Sequence, residues 1–161
     1  MKKIRLSQNK FAIVDNEDFF TLNQWKWYAS LNRHTNSFVA VRNFPRTDGR
    51  QGAFRMSRVI TNAPKGMVVD HINHDTLDNR RQNLRVCTNQ ENSLNKRRHK
   101  ITISGFKGVF PRNDKDKWIA FINYNGKRMY LGDYNNKEEA AKAYDEAAHK
   151  FHGVFARLNF V

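Results

Sequence analysis

A single cysteine in 161 residues excludes an intramolecular disulfide and any cysteine-rich zinc knuckle. Any metal bound here must take oxygen and imidazole ligands, and Cys87 suits a small buried apolar position better than a nucleophile's. Long apolar runs are also lacking. No window approaches the roughly 18 apolar residues needed to span a bilayer, and Met1-Lys2-Lys3-Ile4-Arg5-Leu6 is too short in its apolar part for a signal peptide. We therefore expect an intracellular chain with no targeting signal and no membrane partner. Acidic residues are scarce: 15 Asp and Glu face 29 Lys and Arg, and the formal charge of +14 favours a polyanionic partner. Residues 1–103 hold 19 basic and 8 acidic side chains, and residues 104–161 hold 10 and 7, so the first part carries most of the field.

Residues 1–60 have the aromatic and β-branched content of strands at Phe11 to Val14, Trp25 to Ser30 and Phe38 to Phe44. Asp15 to Gln24 suits a short helix with Asp15 as cap. Asp48-Gly49 marks a turn, and Phe54 to Thr61 leads to a second break at Pro64-Lys65-Gly66. Met67-Val68-Val69 predicts a short strand ending at Asp70-His71. A polar stretch, Asn73 to Asn83, separates it from a second strand at Leu84 to Cys87 and a helix from Asn89 to about Lys100, opened by Thr88 and Glu91 at capping-box spacing. The run Lys96-Arg97-Arg98-His99-Lys100 closes that helix. Its density nominates Arg97 and Arg98 for phosphate contact, with a solvated helix end as the plainer alternative. Ile101 to Gly105 reads as a linker. Beyond it Lys107 to Phe110, Trp118 to Tyr124 and Arg128 to Leu131 are strand candidates, the last two joined by the hairpin signal Asn125-Gly126. A final helix is expected from about Lys137 to His152, with Asn136 as N-cap and Gly153 as stop.

Hydrolysis of a phosphodiester needs an attacking water, a base to take its proton and positive charge beside the leaving oxygen. Asp70 and His71, adjacent at a strand end, have the types to divide this work as metal ligand and general base. An asparagine of the following helix, Asn92, would complete the protein's share of the metal shell. Asn92, Asn95 and His99 share one helix face, so Asn95 and His99 stay open as alternatives.

Val69-Asp70-His71-Ile72-Asn73, Leu77-Asp78-Asn79-Arg80-Arg81, Asn83-Leu84-Arg85 and Asn89 to Asn95 together resemble the HNH endonucleases in their homing branch, and Ala12-Ile13-Val14-Asp15 and Lys26-Trp27 resemble the lead segment of phage-type members. The resemblance implies a ββα-metal finger with Asp70 as ligand, His71 as base, Asn83 bracing the loop and Asn92 as second ligand. His74 stands where the family often has Gly, and Ser57-Arg58 stands where it often has His-Arg. Phe106-Lys107-Gly108-Val109, Lys117-Trp118-Ile119-Ala120, Tyr130-Leu131-Gly132, Glu138 to Asp145 and Leu158-Asn159-Phe160 resemble the APETALA2 or ethylene-response-factor type of DNA-binding domain. In that family a three-stranded face enters the major groove, and Lys107, Phe110, Arg112, Phe121, Asn123, Arg128 and Tyr130 fall on its DNA-contacting positions. Alternation in Trp118 to Asn123 independently puts Trp118, Ala120 and Ile122 on one face, and Met129 and Leu131 are expected to join it against the helix.

The expected fold class is α+β: a β-rich lead and HNH finger in residues 1–100, with the finger at about 67–100, a linker at 101–105, and a three-stranded antiparallel sheet packed on one helix in 106–161. The expected activity is metal-dependent cleavage of double-stranded DNA, nicking or cutting both strands, of homing type by resemblance, with one Mg²⁺ or Mn²⁺ per active site. A homodimer on DNA would let one site per chain cut both strands. The expected compartment is the cytoplasm of a bacterial or phage-infected cell. The alternative is a catalytically inactive DNA-binding regulator.

Overall fold

The computed structural model describes residues 1–33, 35–45, 47, 49–95, 103–113 and 116–160. Arg97, Arg98 and His99, the beginning of the expected linker and Asp48 lie outside the described residues. The chain divides into two compact units, residues 1–89 and 90–161, and its strands and helices make an α+β architecture.

In the first unit β1 (Lys2–Arg5) and β2 (Phe11–Val14) form an antiparallel hairpin. Ile4, the one apolar residue of β1, is buried with Leu6, Ala12 and Val14. Helix α1 (Asn16–Asn23) follows. Asp15 occupies its N-cap position without making a side-chain cap; its carboxylate instead accepts the backbone N–H of Arg81 at 2.8 Å. The sheet of β3 (Tyr28–Asn32), β4 (Ser37–Pro45) and β5 (Gln51–Arg55) is antiparallel in that order. Its first strand starts later than the expected Trp25 because the preceding residues close α1: the Trp25 N–H and the Trp27 indole both donate to the Leu22 carbonyl, at 3.2 and 2.8 Å. The Phe54 to Thr61 segment splits into the end of β5 and helix α2 (Met56–Thr61), which stops at Asn62 in the left-handed region (φ +46°). From α2 the Arg58 guanidinium donates to the carbonyls of Met67 (2.6 Å), Ala63 (2.8 Å) and Pro64 (3.0 Å), holding the break that leads into the next strand.

Strands β6 (Val68–His71) and β7 (Leu84–Cys87) pair antiparallel. The loop between them docks on β2, since the Ile13 N–H donates to Leu77 O and the Asn79 N–H to Ile13 O, each at 2.8 Å. Leu84 joins the core formed by Ile4, Val14, Leu22, Trp27, Met56 and Ile60. The described part of the expected finger helix is α3 (Asn89–Leu94), and Asn95 already lies in a turn. The rest of its expected span, to Lys100, lies outside the described residues.

The second unit holds β8 (Val109–Pro111), β9 (Trp118–Tyr124) and β10 (Lys127–Tyr134), with β9 central, and α4 (Lys137–His152) packed across them. Ala140, Ala141, Ala147 and Ala148 bring the helix close enough for Tyr144 to pack with Ile122. Asn136 caps α4 by accepting the Glu139 N–H at 2.8 Å. Leu131 is the extra residue of a bulge between Tyr130 and Gly132, and still reaches the core as expected. The C-terminal tail is tied back by Asp145, whose carboxylate accepts the N–H groups of Asn159 and Phe160. Among the described residues no helix is long and apolar enough to cross a membrane.

Candidate functional site

The β6–β7 register places Asp70 opposite Arg85 and His71 opposite Leu84 at the last two positions of β6. Both Asp70 and His71 are 8% exposed, unusual for ionisable residues at a strand end. The Arg85 Nε and Nη2 both donate to Asp70 Oδ2, at 2.9 and 2.7 Å, which orients the carboxylate within the ladder. His71 Nε2 meets the Asn79 Oδ1 at 3.4 Å. An amide oxygen accepts, so the tautomer protonated on Nε2 satisfies this contact and leaves the Nδ1 lone pair available to a proton. Burial pushes the His71 pKa below the ordinary imidazole value, and the Asn79 contact and the charges of Asp70, Asp75 and Asp78 oppose it without reversing it. The imidazole is therefore neutral at neutral pH.

Asn83 ties the loop to this strand end. Its Oδ1 accepts the Asn73 N–H at 3.0 Å and its Nδ2 donates to the Asp78 carbonyl at 2.8 Å. Asp78 is itself buried, accepts Asn73 Nδ2 at 3.0 Å and is clamped by Arg80 through two bonds at 2.8 and 2.6 Å. The Arg80 hydrogen bonds hold its carboxyl below the usual range. His74 adopts the left-handed conformation (φ +64°) that glycine favours, and its N–H closes a turn onto the His71 carbonyl at 3.0 Å. Asn79 and Arg85, which contact His71 and Asp70 directly, are neighbours of the candidate pair that sequence reasoning passed over. Asn79 lay within a quoted motif, but its contact depends on how the loop folds back; Arg85 becomes visible only once the strand register is known.

Asn92 is half-buried on α3 and Asn95 is buried just beyond it, both in the second compact unit. Asp70 and the asparagine carboxamides offer hard oxygen donors, and Cys87 is a buried thiol on the strand opposite Val68. A nearly buried carboxylate such as Asp70 is a hard oxygen donor, which fits Mg²⁺ or Mn²⁺ better than a thiolate-seeking ion. The one other acidic cluster among the described residues, Asp15, Glu17 and Asp18, is balanced by Arg81, which pairs with Asp18 at 2.6 Å and Glu17 at 3.6 Å.

In the second unit the sheet face away from α4 carries an aromatic and arginine cluster. The Arg128 guanidinium lies 4.1 Å from the Phe121 ring and 4.7 Å from Phe110, and Phe121 packs edge-on to Tyr130 at 5.7 Å. Tyr130 is 58% and Phe110 42% exposed. Arg112 is ion-paired with Asp133, so its charge is partly spoken for within the sheet. Asn123 is exposed beside Arg128, its cross-strand partner, while its carbonyl meets His152 Nε2 at 2.9 Å. Lys107 is turned inward: its ammonium donates to the Leu94 carbonyl at 2.7 Å, and burial pushes its pKa down to about 8.

A family model described as HNH endonuclease matches residues 62–94, and one described as AP2 domain matches residues 104–153. Among individual proteins, the chain is similar to an uncharacterized HNH endonuclease of Acanthamoeba polyphaga mimivirus, 28% identical over 155 residues that make up 92% of this chain and 74% of that protein. It is similar to protein 3.8 of Escherichia phage T7, 32% identical over 95 residues, 59% of this chain and 78% of that protein. Its second part is similar to an AP2/ERF and B3 domain-containing transcription factor of Arabidopsis thaliana, 37% identical over 75 residues, and there it spans 22% of the plant protein's length.

Proposed function

The chain belongs to the HNH endonuclease family and carries an AP2 domain, and from that premise we propose that this DNA-hydrolysing nuclease is metal-dependent, with Asp70 as ligand and His71 as general base. The observation that carries this reading is the buried Asp70–His71 pair at the end of β6, with His71 held neutral and turned by Asn79. Asp70 and Asn92, or Asn95 in its place, would hold one Mg²⁺ or Mn²⁺, which when bound supplies positive charge beside the leaving oxygen. His71 Nδ1 takes the proton of the attacking water. Asn83 fixes the loop through Asn73 and Asp78, so that the strand end keeps its shape while the imidazole gains and loses charge.

The second unit holds double-stranded DNA through Phe110, Phe121, Arg128 and Tyr130, with Arg112 and Asn123 at its margins and Arg97 and Arg98 adding phosphate contacts; Lys107, a contact by resemblance, has its ammonium on the Leu94 carbonyl. Residues 1–100 form the nuclease part and 106–161 the DNA-binding part, with 101–105 as linker. The finer reading is a homing enzyme acting in the cytoplasm of a bacterial or phage-infected cell, as a homodimer where both strands are cut. Incubation of supercoiled plasmid with purified protein, with and without Mg²⁺, tests the proposal. Nicked or linear DNA formed only with the ion supports it; equal cleavage in a chelator removes the metal from the mechanism.

A further inference from the structure

Beyond the nuclease core, the β3–β4–β5 sheet carries a second aromatic and cationic surface that no part of the mechanism uses. The ladder pairs Arg42 with Phe54 and Phe44 with Gly52, so these four residues share one face. Toward one end this face is core, through Ala29 and Ala40. Toward the other it runs out of core and becomes a stack of planes. The Phe44 and Phe54 rings lie 4.2 Å apart at 24°. The Arg42 guanidinium lies 4.1 Å from the Trp25 ring, 5.3 Å from Phe54 and 5.7 Å from Trp27. Trp25 is 50% and Phe54 41% exposed. The stack is built into the strands: a Cβ at Gly52 would stand 2.3 Å from the Phe44 ring, so only glycine there lets that ring lie across β5.

Arg42 has no carboxylate partner among the described residues, and its buried Nε has no hydrogen-bond acceptor. Residues 24–61 hold seven Lys and Arg against the single Asp48. A cation seated among rings and short of anions, within a strongly basic segment, complements a ligand that offers negative charge and flat π faces together. Nucleic acid does so, and a strand with unstacked bases does so best, because each base can add to the ring stack while its phosphate approaches the guanidinium.

We propose that the Trp25–Arg42–Phe54 face is a single-strand contact site, which takes bases unpaired from the duplex while the rest of the protein holds double-stranded DNA. The inference shares with the nuclease reading only its DNA partner. It is tested on the full chain by binding of a labelled oligothymidylate of about a dozen nucleotides without divalent ion, so that no cleavage is read. The double variant Trp25→Leu/Phe54→Leu should bind it about ten- to a hundredfold more weakly, while its affinity for a duplex of equal length falls much less. Arg42→Gln should reduce the log-log salt slope by about 0.7, one single-strand phosphate contact. Because those variants alter packing, Trp25→Phe supplies a conservative check: it should keep the affinity and lose the part of the oligonucleotide-induced tryptophan quenching that comes from Trp25. Equal single-strand affinity of wild type and double variant overturns the inference, as does polyglutamate competing as well as the oligonucleotide. Binding by wild type without metal-dependent cleavage of plasmid would instead count against the nuclease reading alone.

Discussion

Asp70 and Arg85 face each other across the β6–β7 ladder, and both guanidinium donors converge on the same carboxylate oxygen, at 2.9 and 2.7 Å. Both side chains are largely withdrawn from water. The pair fixes the orientation of Asp70, yet an ion bound by Asp70 must share that carboxylate with the arginine.

Removing Arg85 should therefore act in two opposite ways. Arg85→Ala removes both guanidinium bonds to a nearly buried carboxylate, a change that costs about 3 kcal/mol. The same variant should gain more from Mg²⁺ than wild type does, because the ion then no longer shares the carboxylate with the guanidinium. Thermal melts with and without Mg²⁺ read both effects. A variant whose ion-induced rise in Tm is no larger than wild type's would show that Asp70 does not ligate the ion.

The acid side of the pH profile reports on His71. Burial lowers its pKa below 6.5, so the neutral base persists as pH falls through that value, and cleavage should decline only at lower pH. The Asn79 hydrogen bond raises the pKa. Asn79→Ala should thus move the acid limb of kcat/KM further down while lowering the rate about tenfold, a fraction of the hundred- to ten-thousandfold a general base supplies. An acid limb that stays in place would reduce Asn79 to loop structure.

What was legible in the sequence was what local signals encode. Trp118–Tyr124, Leu84–Cys87 and Lys137–His152 stand at the expected bounds. The hairpin at Asn125-Gly126 has both residues at positive φ, and the helix has its cap at Asn136, so backbone chemistry within a few residues decides each boundary. β1 was passed over because Lys2, Lys3 and Arg5 hide a strand whose one inward residue is Ile4. Asp15 looks like a helix cap, but its carboxylate is taken by Arg81, 66 positions away, a choice that no local pattern announces. The candidate site divides in the same way. Asp70 and His71 stand out by type and motif, whereas Arg85 and Asn79 reach them through strand register and a folded loop.

Gly108 offers a test of packing in the second unit. It has φ +77°, and a Cβ there would meet the Tyr144 ring at 2.1 Å and the Phe121 carbonyl at 2.6 Å. Gly126 has nearly the same φ, +74°, with nothing within 4 Å. Gly126→Ala should cost about 1 kcal/mol for conformation alone, and Gly108→Ala about 3 kcal/mol or more, since overpacking adds to it. Urea midpoints of the two variants separate the contributions, and equal losses would mean that Tyr144 moves aside freely.

Lys107 and Tyr144 give that unit a pH dependence with two signs. Burial pushes the Lys107 ammonium down to about 8 from its ordinary 10.5, so between those values the unfolded chain binds more protons than the folded one, and stability rises with pH. Burial pushes the Tyr144 phenol up to about 12 from 10.0, so between those values the unfolded chain loses its proton first and stability falls. Stability should then peak near pH 10, where the lysine's benefit is mostly present and the tyrosine's loss is only beginning. Lys107 is partly exposed, and solvent screening limits its share to about 1–2 kcal/mol. Lys107→Met keeps the aliphatic stem and removes the titration. It should be more stable than wild type at pH 8, lose the rise toward pH 10 and keep the fall above it. Urea unfolding followed by helical ellipticity, to which the 16-residue α4 contributes most, measures this across the series. An unchanged rise in Lys107→Met would show that the ammonium reaches water when the unit is folded, and would free Lys107 for the DNA contact that its place in the motif suggests.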